Sequence, residues 1–176
     1  NATGNVGSSS SYFNVMFSDS VNVNSIGHAG TNAVGNIGSS SSYFNRLFAT
    51  ATTALYADVA ERFAADEYLE PGTVVELGGI AEITKSRADL SENVFGVIST
   101  RPAHLMNGGA GEDDTHPPVA MTGRVPVKVV GSIKKGQPLV STPDGKATFG
   151  DHQNTFATAL ETNNDVGVKL VECVIL

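Results

Sequence analysis

The chain has one cysteine, Cys173, and no tryptophan among its 176 residues. A single thiol excludes an intrachain disulfide framework and a cysteine-rich zinc site. With no tryptophan, there is no indole platform on which a sugar would stack. Basic residues are few: 11 Lys and Arg face 18 Asp and Glu, a net charge of −7. Phosphate contacts want a basic stripe, so this balance argues against a nucleic-acid partner. No apolar run approaches the about eighteen residues of a membrane helix, so no membrane span is expected. The chain begins at Asn1 with neither a methionine nor a signal peptide and reads as a piece of a longer protein.

Charge is scarcest at the start. Residues 1–48 hold only Asp19 and Arg46, so the whole negative excess belongs to 49–176. This first part is rich in Gly, Ser and Asn, the composition of a flexible linker. An internal repeat overrides that reading. Residues 1–17 return as 32–48 with thirteen of 17 positions identical, at a period of 31 residues. A linker has no need to hold Tyr-Phe-Asn at a fixed offset, whereas a repeated structural unit does.

Each copy reads as a Gly-Asn-Val/Ile-Gly turn, a serine run and a short strand. Tyr12, Asn14 and Met16 face one way, and Phe13, Val15 and Phe17 the other. In the second copy the latter face becomes Phe44, Arg46 and Phe48. Two such copies carry too few apolar groups for a core of their own. Stacking many repeats in a solenoid is one solution, and winding three chains around a shared axis is another. The sparse aromatics among Gly, Ser and Asn favour the thin trimeric form.

Residues 49–72 join this segment to the rest. Leu55, Val59 and Phe63 recur every four residues, as on a helix, while Val59, Glu61 and Phe63 alternate as on a strand. The choice stays open, with a lean towards extended chain and one helical turn, and Pro71-Gly72 ends the segment. From Thr73 onward the pattern is hairpins. Residues 73–77 and 80–84 flank Gly78-Gly79 as a two-residue loop. Val94–Ile98 is a short apolar strand. Residues 119–130 form a long one with Val125, Val127 and Val129 on one face, where Pro126 signals an edge or bulge. Residues 139–142 and 146–149 flank Pro-Asp-Gly, and 156–162 and 168–176 flank Asn163-Asn164-Asp165. The last strand is apolar on both faces and is expected to be central. The expected fold is all-β: a shaft over 1–48, a junction over 49–72, and a small β-barrel or β-sandwich over 73–176.

Residues 56–63 (Tyr-Ala-Asp-Val-Ala-Glu-Arg-Phe) and 70–75 (Glu-Pro-Gly-Thr-Val-Val) resemble the entry to a domain of bacteriophage tail fibres and neck appendages. That domain is a C-terminal intramolecular chaperone with glutamic-type self-processing activity. Residues 94–100, 105–107, 122–129 and 135–140 are similar to the same family, and the repeat looks like the shaft that often precedes it. The resemblance implies an all-β, homotrimeric virion appendage whose partners are two further copies of the chain and other virion proteins. It further implies assembly in the host cytoplasm. Self-processing relatives cut before the Asp of an Asp-x-x-Glu motif, which implies the Ala57–Asp58 bond with Glu61 as catalytic carboxylate. Glu61 would activate a water, and Asp58 would share its proton or polarise the carbonyl. On a helical turn the two would share a face; on a strand they would face oppositely, and a partner group would come from another subunit. Ala57 replaces the hydroxyl residue that often precedes the Asp, which removes an N→O acyl shift from that side. The preferred reading is a retained cap in which Asp58 and Glu61 are structural.

Other candidates read as structure. Glu112-Asp-Asp-Thr-His116 offers oxygen ligands for Ca²⁺ or Mg²⁺ but lacks EF-hand spacing, so a solvated acidic loop is expected. His28 would meet its copies on a trimer axis, but without an x-His-x-His pair no metal is assigned. His104 and His152 read as surface or loop residues, and Cys173 as a buried small hydrophobe. Residues 131–136 lack the Gly-Lys-Ser/Thr ending of a phosphate loop and read as a hairpin bend. Residues 135–139 with Asp144-Gly145-Lys146 only faintly look like a lipoyl-type carrier, because Gly145 breaks the Asp-Lys tip. No cofactor is expected. A host-receptor or glycan-binding tip would use the Asn107–Pro118 and Glu161–Gly167 loops.

Overall fold

The computed structural model describes residues 18–26, 37, 39, 41, 42, 44–48, 53–151 and 153–176. The chain forms two compact units, Asn1–Arg46 and Leu47–Leu176. In the first, Ser39 and Ser42 exchange backbone hydrogen bonds of 2.8 and 3.3 Å. The expected Tyr12–Phe17 strand lies outside the described residues. Residues 44–48 make no strand, contrary to expectation, and Phe44 is 70% exposed. A strand needs a ladder partner, and no described residue of this chain supplies one.

The second unit contains ten strands: β1 (Asp58–Arg62), β2 (Val74–Leu77), β3 (Ile83–Lys85), β4 (Val94–Ile98), β5 (His104–Met106), β6 (Pro118–Val129), β7 (Pro138–Thr142), β8 (Lys146–Phe149), β9 (Ala157–Ala159) and β10 (Lys169–Ile175). No helix occurs among the described residues. The junction therefore continues as the extended strand β1.

The twelve-residue β6 organises the unit. Its C-terminal half pairs with β10 over seven register positions and with β8 at Val129↔Ala147. The β8–β7, β7–β9 and β9–β10 pairings then close a five-strand barrel. The N-terminal half of β6 pairs with β1 and β4, and β4 leads to β2 and β3. A bridge between Ala65 and Ile83 closes this second ring. Closure leaves few strand edges unpaired, which suits an all-β domain in water.

Each ring has its own core. Val125, Val127, Val129, Leu139, Val171 and Cys173 fill the barrel together with small Ala147, Ala157 and Ala159. Leu69, Val75, Ile83, Ile98 and Val119 fill the second ring, where Phe63 meets Phe95 edge to face at 5.1 Å. Side chains alternate along a strand, so adjacent residues reach opposite faces. Val74 and Val75, Val97 and Ile98, and Ala120 and Val119 therefore supply one residue to each core. Strands β2, β4 and β6 form the wall between the cores, each buried aliphatic contributing about 1.5–3 kcal/mol.

Two hairpin details differ from expectation. Leu77 pairs with Ile83, so the β2–β3 loop has five residues, 78–82, and Ile80 is fully exposed. The Asp66 carboxylate accepts the N–H groups of Ile80 (2.9 Å) and Ala81 (2.6 Å), holding both out of the ladder. The Ala81 bond above all, helped by Ile80, Thr84 and Arg87, outweighs desolvation and holds this carboxyl below the usual carboxylate range. The last strand, β10, does lie between β6 and β9, but it is not apolar-buried on both faces. Val171, Cys173 and Ile175 point inward, and Leu170 is half exposed.

Gly123 sits where β6 passes from one ring to the other. Its φ is +101°, and a Cβ there would lie 2.2 Å from the Ala57 carbonyl oxygen. Gly123→Ala is expected to destabilise the chain by about 2–4 kcal/mol through backbone strain and this clash together. Gly136 has φ +86° with nothing within 4 Å of the place a Cβ would occupy; its alanine variant is expected to lose only about 1 kcal/mol. Thermal or denaturant unfolding of both variants measures the difference.

Candidate functional site

The start of β1 meets the bend of β6 at a cleft of about 380 Å³ lined by Tyr56, Asp58, Arg101, Arg124, Pro126 and Glu172, among others. Asp58 pairs with Gly123, and the β6 register shifts next to it, opposite Val59 and Ala60. The Arg124 backbone N–H donates to the Ala57 carbonyl at 3.0 Å, and the Lys128 N–H donates to the Gly72 carbonyl at 2.8 Å. Pro126 lies between these two, at the same strand parity, and has no N–H to place. On this side β6 lacks a continuous neighbour, so the edge expected at Pro126 is real and the cleft opens there.

Asp58 is only 3% exposed. The Ser99 hydroxyl donates to its Oδ2 at 2.5 Å, and its own carbonyl accepts the Ala103 N–H at 2.9 Å. Ser99, equally buried, follows β4 and is fixed by its N–H to the Pro118 carbonyl at 2.8 Å. A buried carboxylate needs such a donor, since desolvation without one is costly. At the cleft mouth Arg101 donates to the Tyr56 hydroxyl at 3.3 Å, and Arg124 lies 3.9 Å from Glu172.

Glu61 is half buried on the same strand, where it pairs with Val119 and Met106. Three positions along a strand put it on the face opposite Asp58. Within one chain the two carboxylates are thus not brought together, and the helical-turn geometry is replaced by the extended one. What the cleft joins to the Ala57–Asp58 bond is Ser99 and the Arg124 amide. Neither was legible: Ser99 is 41 residues away in sequence from its partner, and a backbone N–H leaves no mark in composition.

The two loops are both tied down. Arg62 donates to the His116 carbonyl and pairs with Asp113, each at 2.7 Å, while Asn107 donates to the Arg62 carbonyl at 3.1 Å. The acidic run Glu112–His116 is therefore strapped to β1. Asp113 spends its charge on Arg62, whose buried Nε is unpartnered. No cluster of three His, Cys, Asp or Glu suited to a metal occurs among the described residues. In the other loop Asn163 exchanges 2.9 Å bonds with Ile133, and its side chain accepts the Asp165 N–H. The bend at 131–136 thus carries the buried core residue Ile133. Lys169 reaches the Gly131 and Asp165 carbonyls.

His104 lies exposed on β5, whereas His28 and His152 fall outside the described residues. Cys173 is fully buried, and burial above all pushes its thiol up to about 12, which removes thiolate reactivity.

This fold is shared with solved bacteriophage structures. The chain shares its fold with the pre-mature form of bacteriophage phi29 gene product 12, at a TM-score of 0.57 and 17% identity, over 74% of this chain and 23% of that one. It therefore spans under a quarter of that protein's length. Against the C-terminal fragment of gene product 12 the TM-score is 0.51 at 18% identity, over 68% of this chain and 100% of the fragment. The N base of phi29 head fiber gp8.5 matches at a TM-score of 0.44 and 19% identity, over 67% of this chain and 93% of that one. No protein-family model and no curated protein matches the chain.

Arg62→Ala is expected to release the 107–118 loop. Losing a charged donor from the part-buried His116 carbonyl should lower stability by about 1–3 kcal/mol. Limited proteolysis checks this: new cleavage should appear within 107–118 while the barrel stays resistant.

Proposed function

We propose that the chain is the distal part of a trimeric tail fibre or appendage of a phage virion. In this reading residues 1–48 are shaft, 49–72 a junction, and 73–176 the domain that starts trimerisation and aligns three copies. The observation that carries it is the fold shared with the whole C-terminal fragment of phi29 gene product 12. The repeat supports it, because Phe44, Leu47 and Phe48 are 70–87% exposed and find no cover among the described residues. The C-terminal unit, by contrast, has two cores of its own and is able to fold before the shaft. Light scattering of the full chain should give three times its 18.2 kDa mass. Chains ending at residue 57 should aggregate, and a soluble, correctly trimeric 1–57 fragment would refute the chaperone role.

A second reading, self-cleavage at Ala57–Asp58, is favoured by one observation: the bond lies in the cleft wall with its carbonyl already hydrogen-bonded. In this reading Asp58 and Glu61 are the catalytic carboxylates, with Glu61 acting across a subunit boundary. Intact mass should then reveal a 119-residue fragment beginning at Asp58 that disappears in Glu61→Ala. Full-length chain throughout a prolonged incubation would eliminate this reading and leave the structural one intact.

A further inference from the structure

We infer that Ser99 is a positioning residue for hydrolysis of the Ala57–Asp58 bond, an inference that rests on the self-cleavage reading. Three groups from three strands converge on this bond. The Arg124 N–H at the β6 bend donates to the Ala57 carbonyl at 3.0 Å, the oxygen on which negative charge grows when a nucleophile adds. Asp58, at the start of β1, supplies a carboxylate covalently next to the bond. Ser99, at the end of β4, donates to one oxygen of that carboxylate and so leaves the other for a water in the cleft.

Ser99 has little freedom to do otherwise. Its backbone is pinned to Pro118, and both partners of the hydroxyl bond are 3% exposed. The carboxylate is thereby held in one rotamer, and such pre-orientation next to a reacting carbonyl accelerates a step that a freely rotating group performs poorly. The reach is short, because the Asp58 carboxylate oxygen and the Ala57 carbonyl carbon are separated by only four atoms of the chain, so one water can bridge them.

The step balances without a co-reactant other than water. A water oxygen adds to the Ala57 carbonyl carbon while one of its protons passes to Asp58 Oδ1. The tetrahedral adduct collapses with rupture of the C–N bond, and the proton moves from Asp58 to the departing nitrogen. The products are the Ala57 carboxyl group and the α-amine of Asp58. Glu61, on the opposite face of β1, reaches this bond only from a neighbouring copy, where it shares the proton with Asp58 as the self-cleavage reading requires.

The test follows release of the 119-residue fragment by intact mass in full-length chains, with a thermal melt of each variant. Ser99→Ala, which removes the hydroxyl donor of a buried carboxylate, should lower the melt and, assayed well below it, slow cleavage about 10- to 100-fold. Ser99→Thr, which keeps the hydroxyl, should restore most of the rate. If Ser99→Ala does not fold, Ser99→Cys takes its place, keeping the volume with a weaker donor, and should also be slow. Cleavage of Ser99→Ala at the wild-type rate would overturn the role of Ser99 and leave self-cleavage standing. A wild-type chain that never cleaves would overturn both.

Discussion

One strand has to serve two closed rings, and the rest of the domain follows from how β6 does so. Its first half is flanked by β1 and β4, its second by β10 and, at the far end, β8. Two sets of neighbours cannot be continuous through the changeover, so the strand needs a bulge and a left-handed residue there. The register shift beside Gly123 and its φ of +101° are those devices. At the same place the neighbours diverge, and Pro126, which has no N–H to satisfy, occupies the gap. The cleft is thus a product of topology, and the chemistry-bearing groups around Ala57–Asp58 gather there because three strands meet there.

Polar groups hold what the cores do not reach. Ion pairs such as Lys146 with Asp144 or Lys85 with Glu67 join side chains that solvent still reaches, and contribute little. Arg62 and Asp66 differ because each ties a loop to the strand wall through backbone groups. Arg62 fastens the 107–118 loop to β1, and Asp66 fastens the 78–82 loop to the chain just after β1. The acidic excess of the C-terminal part therefore hides a few charges with fixed duties among many that are merely solvated.

Local patterns were legible in the sequence and distant ones were not. The apolar run 94–98 became β4 with the same bounds, the Pro-Asp-Gly turn sits between β7 and β8, and Val125, Val127 and Val129 share the barrel core. All these rest on alternation or turn chemistry within a few residues. Gly78-Gly79 misled because the Asp66 carboxylate, fourteen residues upstream of Ile80, competes for the loop amides. The pairing of Ser99 with Asp58 had no local trace, since a serine after an apolar strand has no periodic signature. Two cores were likewise hidden: Val-Val and Val-Ile pairs read as apolar strands, but only the sheet order reveals that each pair feeds two separate clusters.

The contrast between the units bears on the order of assembly and on the Ala57–Asp58 bond near the start of the second. Under the proposed trimeric function, a repeat of period 31 with exposed aromatics would allow chains to pair one repeat out of register. A domain with two closed rings allows no comparable slip, because a one-residue shift in β6 would turn both cores outward. Under the proposed function, folding that domain first would give the repeats a unique alignment. The surroundings of Ala57–Asp58 then carry a timing consequence. Asp58, Ser99 and the Arg124 amide belong to β1, the end of β4 and β6, and they meet only when the second ring has closed. A bond whose hydrolysis depends on that meeting would stay intact in any chain whose cap had not finished folding.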